Sequence, residues 1–324
     1  MRILPIAAIE CVSARAAEQL PETDRRYRVV GTLLVAGGAM LFAVKGLFAK
    51  WLYGKGVSFE AVVTVRALLA MPAFWLFGLR GAGTARKLLH APRPAIGAAI
   101  VAGFLCYYVG AMVDFYALTL IDASIERILL FSYPAMVVLI SSVRERQWPS
   151  RKVVTAVTIT YVGIFLAVGG LEQDVFSANL LGAGLVLISA LSYAIYFLIG
   201  ARYTHDLGSS RFTLVAMTTA GIALAAHFSL FGTPNELWQY DTPVWLTLIV
   251  MSIVCMFFPA LMQAEGVKRV GAQRGSVAST VGPPTTILLA AVLLDERLTA
   301  TQLIGTALII AGILVVELRR KPSR

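Results

Sequence analysis

The chain is short of charge. Only 14% of its 324 residues are Asp, Glu, Lys or Arg, where soluble domains carry about a quarter. A surface that poor in charge cannot be solvated by water alone, which excludes an ordinary soluble domain. Cysteine is scarce as well. Cys11, Cys106 and Cys255 form no close pair and no CxxC spacing, which argues against a structural disulfide or a zinc site. There are three histidines. His90 and His205 fall in connections, and His227 stands alone in an apolar stretch, where a hydrogen-bonded structural histidine is expected. The sequence shows no P-loop, HExxH, paired metal ligands or Ser/His/Asp set. It therefore carries no ATPase engine, and no cofactor or metal is read from it.

What fills the chain instead is hydrophobic sequence, 58% of it, with a mean hydropathy of +0.77. A spanning helix needs roughly 20 mostly apolar residues. The pattern predicts an all-α membrane protein with ten spans, at 29–52, 58–79, 94–118, 123–142, 153–170, 179–201, 210–231, 243–264, 275–294 and 301–318. Residues 1–28 read as a cytoplasmic N-terminal tail, and 319–324 as a basic cytoplasmic tail.

Orientation follows from Lys and Arg in the short connections. With a cytoplasmic N-terminus, the connections near 80–93, 143–152, 202–211 and 265–274 face the cytoplasm, as does the C-terminus. Of the 28 basic residues, only Lys50, Lys55 and Arg297 then lie on the outer side, and only Lys45, Arg66 and Arg127 lie deeper within spans than their ends. The outer connections carry Asp122, Glu172, Asp174, Glu236, Asp241, Asp295 and Glu296. The net charge of +10 is thus a topology signal and not a nucleic-acid footprint. Trp51, Tyr53, Trp238, Tyr240 and Trp245 mark the outer interface. The reading places the protein in a bacterial inner membrane with both termini cytoplasmic.

The two halves repeat. An offset of 149 residues aligns Cys106 with Cys255, Ala111 with Ala260, Ala123 with Ala272, Pro134 with Pro283 and Gly163 with Gly312. An offset of 151 aligns Gly31 with Gly182, Ala43 with Ala194 and Glu145 with Glu296. The repeats are 29–170 and 179–318. Five spans is an odd number, so the second half enters from the opposite side. Inverted repeats permit two conformations related by exchanging the halves, around a site near the midplane. Gly110 and Pro259, and Pro134 and Pro283, are the matched kink or hinge candidates. Ordinary kinking for packing is the plainer reading of the same residues.

Specific residues in both halves resemble a known family. The first half has Ala123-Ser124-x-Glu126-Arg127 and Tyr133-Pro134. The second has Glu265-Gly266-Val267-Lys268-Arg269-Val270-Gly271-Ala272, Gly282-Pro283, and Asp295-Glu296-Arg297-Leu298-Thr299 followed by Gln302 and Gly305. Over roughly 29–318 this is similar to the EamA family of the drug/metabolite transporter superfamily. The first half departs from it after Glu145, where Gln147-Trp148-Pro149 replaces Leu-Thr. The resemblance implies ten helices and export or exchange of small metabolites, amino acids or drugs. It supplies no site residues.

The site candidates come from the residues themselves. Lys45, Arg66, Asp114, Glu126 and Arg127 sit within spans, where ionisable groups are costly and face the bundle interior or a wet cavity. At about 1.5 Å per residue, each lies within roughly 5–12 Å of the outer end of its span. A structural network, an outer gate and a substrate site all fit such a layer. In the structural form, Asp114 pairs with Arg66 or Arg127 while Lys45 snorkels outward. Asp114 or Glu126 would be the carrier if transport is coupled to protons. The second half lacks the layer: Tyr196, Gln263 and Ser276 stand opposite Lys45, Asp114 and Arg127. Stripes of small, aromatic and polar residues suggest a cavity lining or plain helix packing. They run through Gly103, Tyr107 and Gly110 in span 3, Ser252, Met256 and Pro259 in span 8, Phe131 in span 4, Ser276 and Thr280 in span 9, and Tyr193 and Tyr196 in span 6. A secondary transporter for a small molecule is the leading reading. An intramembrane enzyme acting on lipid-linked substrates is the alternative from another class, and oligomeric state is left open.

Overall fold

The computed structural model describes residues 25–80, 91–145, 151–168, 171, 173–270, 278–279 and 281–318. The N-terminal tail almost throughout, the C-terminal tail, Ser276, Thr280 and much of the inner connections lie outside the described residues. Within them the chain is helical, apart from its connections.

Helix α1 (Arg25–Ala43) stops at Val44, and α2 (Lys45–Gly54) resumes at once. Gly56 follows with φ 78°, a left-handed conformation that closes a helix end without a Cβ clash. Helix α3 (Phe59–Gly78) starts on Ser58, whose Oγ accepts from Ala61 N–H at 3.1 Å. Then come α4 (Arg93–Gly103), a π-helical segment Phe104–Gly110 and α5 (Ala111–Leu120). Helices α6 (Ala123–Leu130) and α7 (Tyr133–Glu145) form one broken rod, followed by α8 (Arg151–Ala167). The second half opens with the long α9 (Gln173–Leu207), ended by Gly208 at φ 80°, and α10 (Ser209–Phe231). After a short 3-10 turn, Pro234–Gln239, come α11 (Thr242–Ser252), a second π-helical segment Ile253–Phe257 and α12 (Phe258–Val270). Helices α13 (Gly282–Leu293) and α14 (Ala300–Leu318) complete the chain.

Six of the described helical stretches are long and apolar enough to cross a membrane: Tyr27–Gly54, Phe59–Gly78, Arg93–Leu120, Ser177–Gly200, Ser210–Phe231 and Thr242–Gln263. Shorter apolar helices occur at Val157–Ala167, Gly282–Leu293 and Ala300–Gly312. The fourth expected span is interrupted at Phe131–Ser132, so neither of its pieces has the length of a crossing.

Breaks and bulges recur at matched positions. Both π-helical segments begin 149 residues apart, at Phe104 and Ile253, with Cys106 and Cys255 third in each. Helices α7 and α13 likewise begin at Tyr133 and Gly282, and the matched prolines are second in each. This corrects the reading of Pro134 and Pro283 as kinks inside a helix, since each stands in the first turn of its own. At that position, in α7 as in α13, a missing N–H costs nothing because that donor has no partner within the helix.

Close helix pairs are set by small residues. A Cβ on Gly266 would lie 2.8 Å from Gly31 O, which brings α12 onto α1. A Cβ on Gly110 would lie 2.1 Å from Ser192 Oγ, and one on Gly103 2.2 Å from Ala216 O. The middle of the bulged helix is thereby pressed onto α9 and α10. Gly163 and Gly305 face one another where α8 meets α14, each leaving less than 3 Å to the other's carbonyl oxygen. Helix α3 packs on α10, and α6 on α13. The largest apolar core includes Val62, Phe74, Phe115, Met217, Leu248 and Met251.

Candidate functional site

The break after Ala43 builds the site. In an unbroken helix, the carbonyls just before Val44 would be taken by N–H groups four residues on. Here side chains take them: Arg127 Nη2 donates to Phe42 O at 2.6 Å, and Thr286 Oγ1 donates to Ala43 O at 3.0 Å. One donor belongs to each half. The break also turns Lys45 inward at the start of α2, where it is 2% exposed.

Lys45 is the hub of the charged cluster. Its Nζ forms an ion pair with Asp114 Oδ2 and a second with Glu126 Oε1, the latter at 3.2 Å. The same Nζ lies 5.1 Å from the centre of the Phe115 ring. Arg66 stacks on that ring, with its Cζ 4.3 Å from the centroid. Arg127 stacks on Phe42 at 5.3 Å. All five ionisable residues are more than nine-tenths buried, and these contacts join Lys45, Asp114, Glu126 and Arg66 into one cluster, with Arg127 held beside it on Phe42.

The partnering differs from the sequence expectation. Asp114 pairs with Lys45, not with Arg66 or Arg127, and Lys45 does not snorkel outward. The physical reason is the break in α1–α2: it aims the lysine at the carboxylates and offers Arg127 a free carbonyl. Adjacent Glu126 and Arg127 have different partners, as helical geometry requires. Among the described residues Arg66 has no ion pair.

The remaining candidates divide. Tyr107 and Tyr196 meet edge to face at 5.1 Å, and Tyr107 reaches Tyr193 at 6.4 Å. Tyr193 in turn faces Tyr133 at 6.4 Å, and Tyr133 stacks on Phe197 at 5.2 Å. These rings form an aromatic wall between the α4–α5 rod and α9. Gln263 instead packs on α1, where a Cβ on Gly38 would lie 3.1 Å from its Cγ. It makes no hydrogen bond to the charged cluster among the described residues. Pro259, matched to Gly110, is buried just past the second π-helical segment. His227 bonds through Nδ1 to Tyr108 Oη at 2.9 Å, the structural role expected of it.

Sequence reasoning missed the role of Glu296. Its carboxylate accepts from Ala123 N–H at 3.0 Å, Ser124 N–H at 3.0 Å and Ser124 Oγ at 2.8 Å. It therefore caps α6 from the other half, while Asp122 at the N-cap position makes no capping bond. Asp295, at φ 55°, turns the connection so that Glu296 can reach. Thr299 and Gln302 cap each other reciprocally at the start of α14: Gln302 N–H to Thr299 Oγ1 is 3.2 Å, and Thr299 N–H to Gln302 Oε1 is 2.9 Å. The Glu-Arg-Leu-Thr…Gln…Gly run thus has a mechanical meaning: an inter-half cap, a capping box, and a glycine pressed on α8. A second acid also joins the halves. Ser58 Oγ donates to Glu236 Oε1 at 2.5 Å.

A polytopic helical bundle with two related halves and a buried ion cluster at a broken helix is the build of a membrane transporter. The chain belongs to the EamA-like transporter family, whose model matches it twice, at residues 29–169 and 180–318. It is 33% identical over 315 residues to the Bacillus subtilis (strain 168) protein called uncharacterized transporter YcbK, covering 94% of this chain and 97% of that one. A Salmonella typhimurium (strain LT2) protein called uncharacterized inner membrane transporter YicL is 22% identical over 197 residues, covering 61% of this chain and 65% of the other. A solved structure described only as a crystal structure of a protein shares the fold. Its TM-score is 0.60 at 19% identity, covering 89% of this chain and 96% of that one.

Proposed function

We propose that this membrane transporter is a secondary exporter or exchanger of small metabolites, amino acids or drugs in a bacterial inner membrane, with both termini cytoplasmic. It works by alternating access between two inverted five-span halves. The observation that carries the reading is the pair of π-helical segments at Phe104–Gly110 and Ile253–Phe257. Each half weakens its third span at the same place, so each can bend where the other bends. The packing supports it: α1 lies on α12 as the α4–α5 rod lies on α9, which is the pattern that exchange of the halves preserves.

In this reading Lys45, Asp114 and Glu126 form a gate at the hinge of α1–α2. Two carboxylates facing one ammonium leave a net negative charge, and one proton arriving on either carboxylate makes the trio neutral. That is where proton coupling enters. Glu296 and Glu236 hold the halves together at the outer end. The alternative of an intramembrane enzyme gains no support from the relatives, whose names are all those of transporters.

The test is counterflow in proteoliposomes. The reading predicts saturable exchange of a labelled solute that depends on unlabelled solute inside and collapses in Lys45→Met. Flux that never saturates, or product chemistry in place of flux, contradicts it.

A further inference from the structure

We propose that Arg66 is an anion receptor, and that the solute is an organic carboxylate with an apolar body. The inference rests on the transporter reading and names its substrate class. Helix α3 is buried without interruption from Ala61 to Ala67, which places Arg66 in the interior of the bundle. The residue is 7% exposed, and its Nε has no hydrogen-bond partner. Each other member of the cluster makes at least one ion pair or hydrogen bond, although Asp114 Oδ1, Glu126 Oε2 and Arg127 Nε are likewise without a hydrogen-bond partner among the described residues. Asp114 and Glu126 turn to Lys45, and Arg127 holds the Phe42 carbonyl. Among the described residues Arg66 makes no ion pair or hydrogen bond, and it stacks on the face of Phe115.

Stacking on a ring leaves the edge of a guanidinium free, and that edge is a planar fork matched to a carboxylate. The ionisable groups around it are Tyr193, Asp114, Cys255 and Tyr53. Tyr193 continues into the aromatic wall of Tyr107 and Tyr196. A site with one buried cation beside aromatic faces recognises a carboxylate joined to an apolar group.

The experiment is thermal unfolding of the purified protein with acetate, hexanoate and benzoate, the matched amides, and chloride. A ligand that binds only the folded state raises its stability by mass action. Benzoate and hexanoate are expected to raise the unfolding temperature at millimolar concentration, acetate less, and the amides and chloride not at all. Arg66→Gln is expected to weaken apparent binding by about tenfold or more, and Arg66→Lys by less. If Arg66→Gln does not fold, Arg66→Lys and the wild-type series decide. Amides that match their acids overturn the proposal, as does chloride that matches benzoate. Full benzoate stabilisation in either Arg66 variant overturns it too. Counterflow of a neutral or cationic solute with no response to any acid also overturns it, while the transporter reading survives. Acid stabilisation without flux supports the Arg66 site and counts against transport.

Discussion

Glu296 and Ser124 hold one another across the two halves of the molecule. One carboxylate oxygen receives both the backbone N–H and the hydroxyl of Ser124, at 3.0 and 2.8 Å, and the other receives Ala123 N–H. A charged group on the first turn of a helix satisfies donors with no partner inside the helix and meets the positive end of its dipole. The first half therefore relies on the second for a cap that Asp122 does not supply.

Removing that cap has a predictable cost. Glu296→Ala is expected to destabilise the protein by about 0.5–2 kcal/mol, the usual range for a lost N-cap. Ser124→Ala should cost less, since both backbone donors keep their acceptor. Thermal unfolding of the two variants checks the order, and Ser124→Ala costing more contradicts it.

Asp122 makes the same junction sensitive to pH. Burial and the nearby Glu296 carboxylate hold its carboxyl above the ordinary carboxylate range, with Lys50 opposing them. The folded state thus favours the protonated form. No penalty applies below the ordinary carboxylate value of about 4. It sets in as pH rises through the window just above that value. Asp122→Asn should therefore stabilise the protein at neutral pH and not in acid. Unfolding temperatures of both proteins against pH should diverge upward; parallel curves contradict the assignment.

The ion cluster should respond unequally to its members. Lys45→Met strands two buried carboxylates, and breaking a buried pair costs about 3–5 kcal/mol. Asp114→Asn leaves Lys45 paired with Glu126 and should cost distinctly less. Restoring balance in Lys45→Met with Asp114→Asn and Glu126→Gln should recover part of the loss. Denaturation of the wild type, Lys45→Met, the Asp114→Asn/Glu126→Gln double variant and the triple variant gives the coupling, and simple additivity excludes the hub.

Much of this cluster was legible in the sequence, because charge in an apolar run is conspicuous and costly. The five residues that stand out there are brought into contact or side by side. Which cation meets Asp114 was not legible. It depends on the break at Val44, where no Gly or Pro signals the end of α1. The matched prolines were visible, but whether Pro283 bends a helix or begins one depends on the turn before it. Glu296 stood in the motif, and its match to Glu145 was visible. Its target lies 172 and 173 residues away, a distance that periodicity does not bridge.

Glycine substitutions test the close packing of the bulged helix. Gly103→Ala drives a Cβ to 2.2 Å from a backbone oxygen of Ala216, which cannot move alone. Gly110→Ala meets the hydroxyl of Ser192, a side chain that can rotate. Overpacking costs about 1–3 kcal/mol, and Gly103→Ala should lie at or above the top of that range. Ser192→Ala should rescue Gly110→Ala, and nothing comparable should rescue Gly103→Ala. Unfolding temperatures with expression yields decide this.

Alternating access itself is tested most directly at Cys255, which is buried among the cluster's neighbours. In a chain with Cys11→Ser and Cys106→Ala, Cys255 is exposed to a small impermeant thiol reagent in right-side-out and in inverted vesicles. The account predicts reaction from both sides. It further predicts that a cross-link between Ser124→Cys and Glu296→Cys, formed with a bifunctional thiol reagent before Cys255 is probed, abolishes outer reaction and leaves inner reaction intact. Reaction from one side only, or outer reaction that persists through the cross-link, would contradict it.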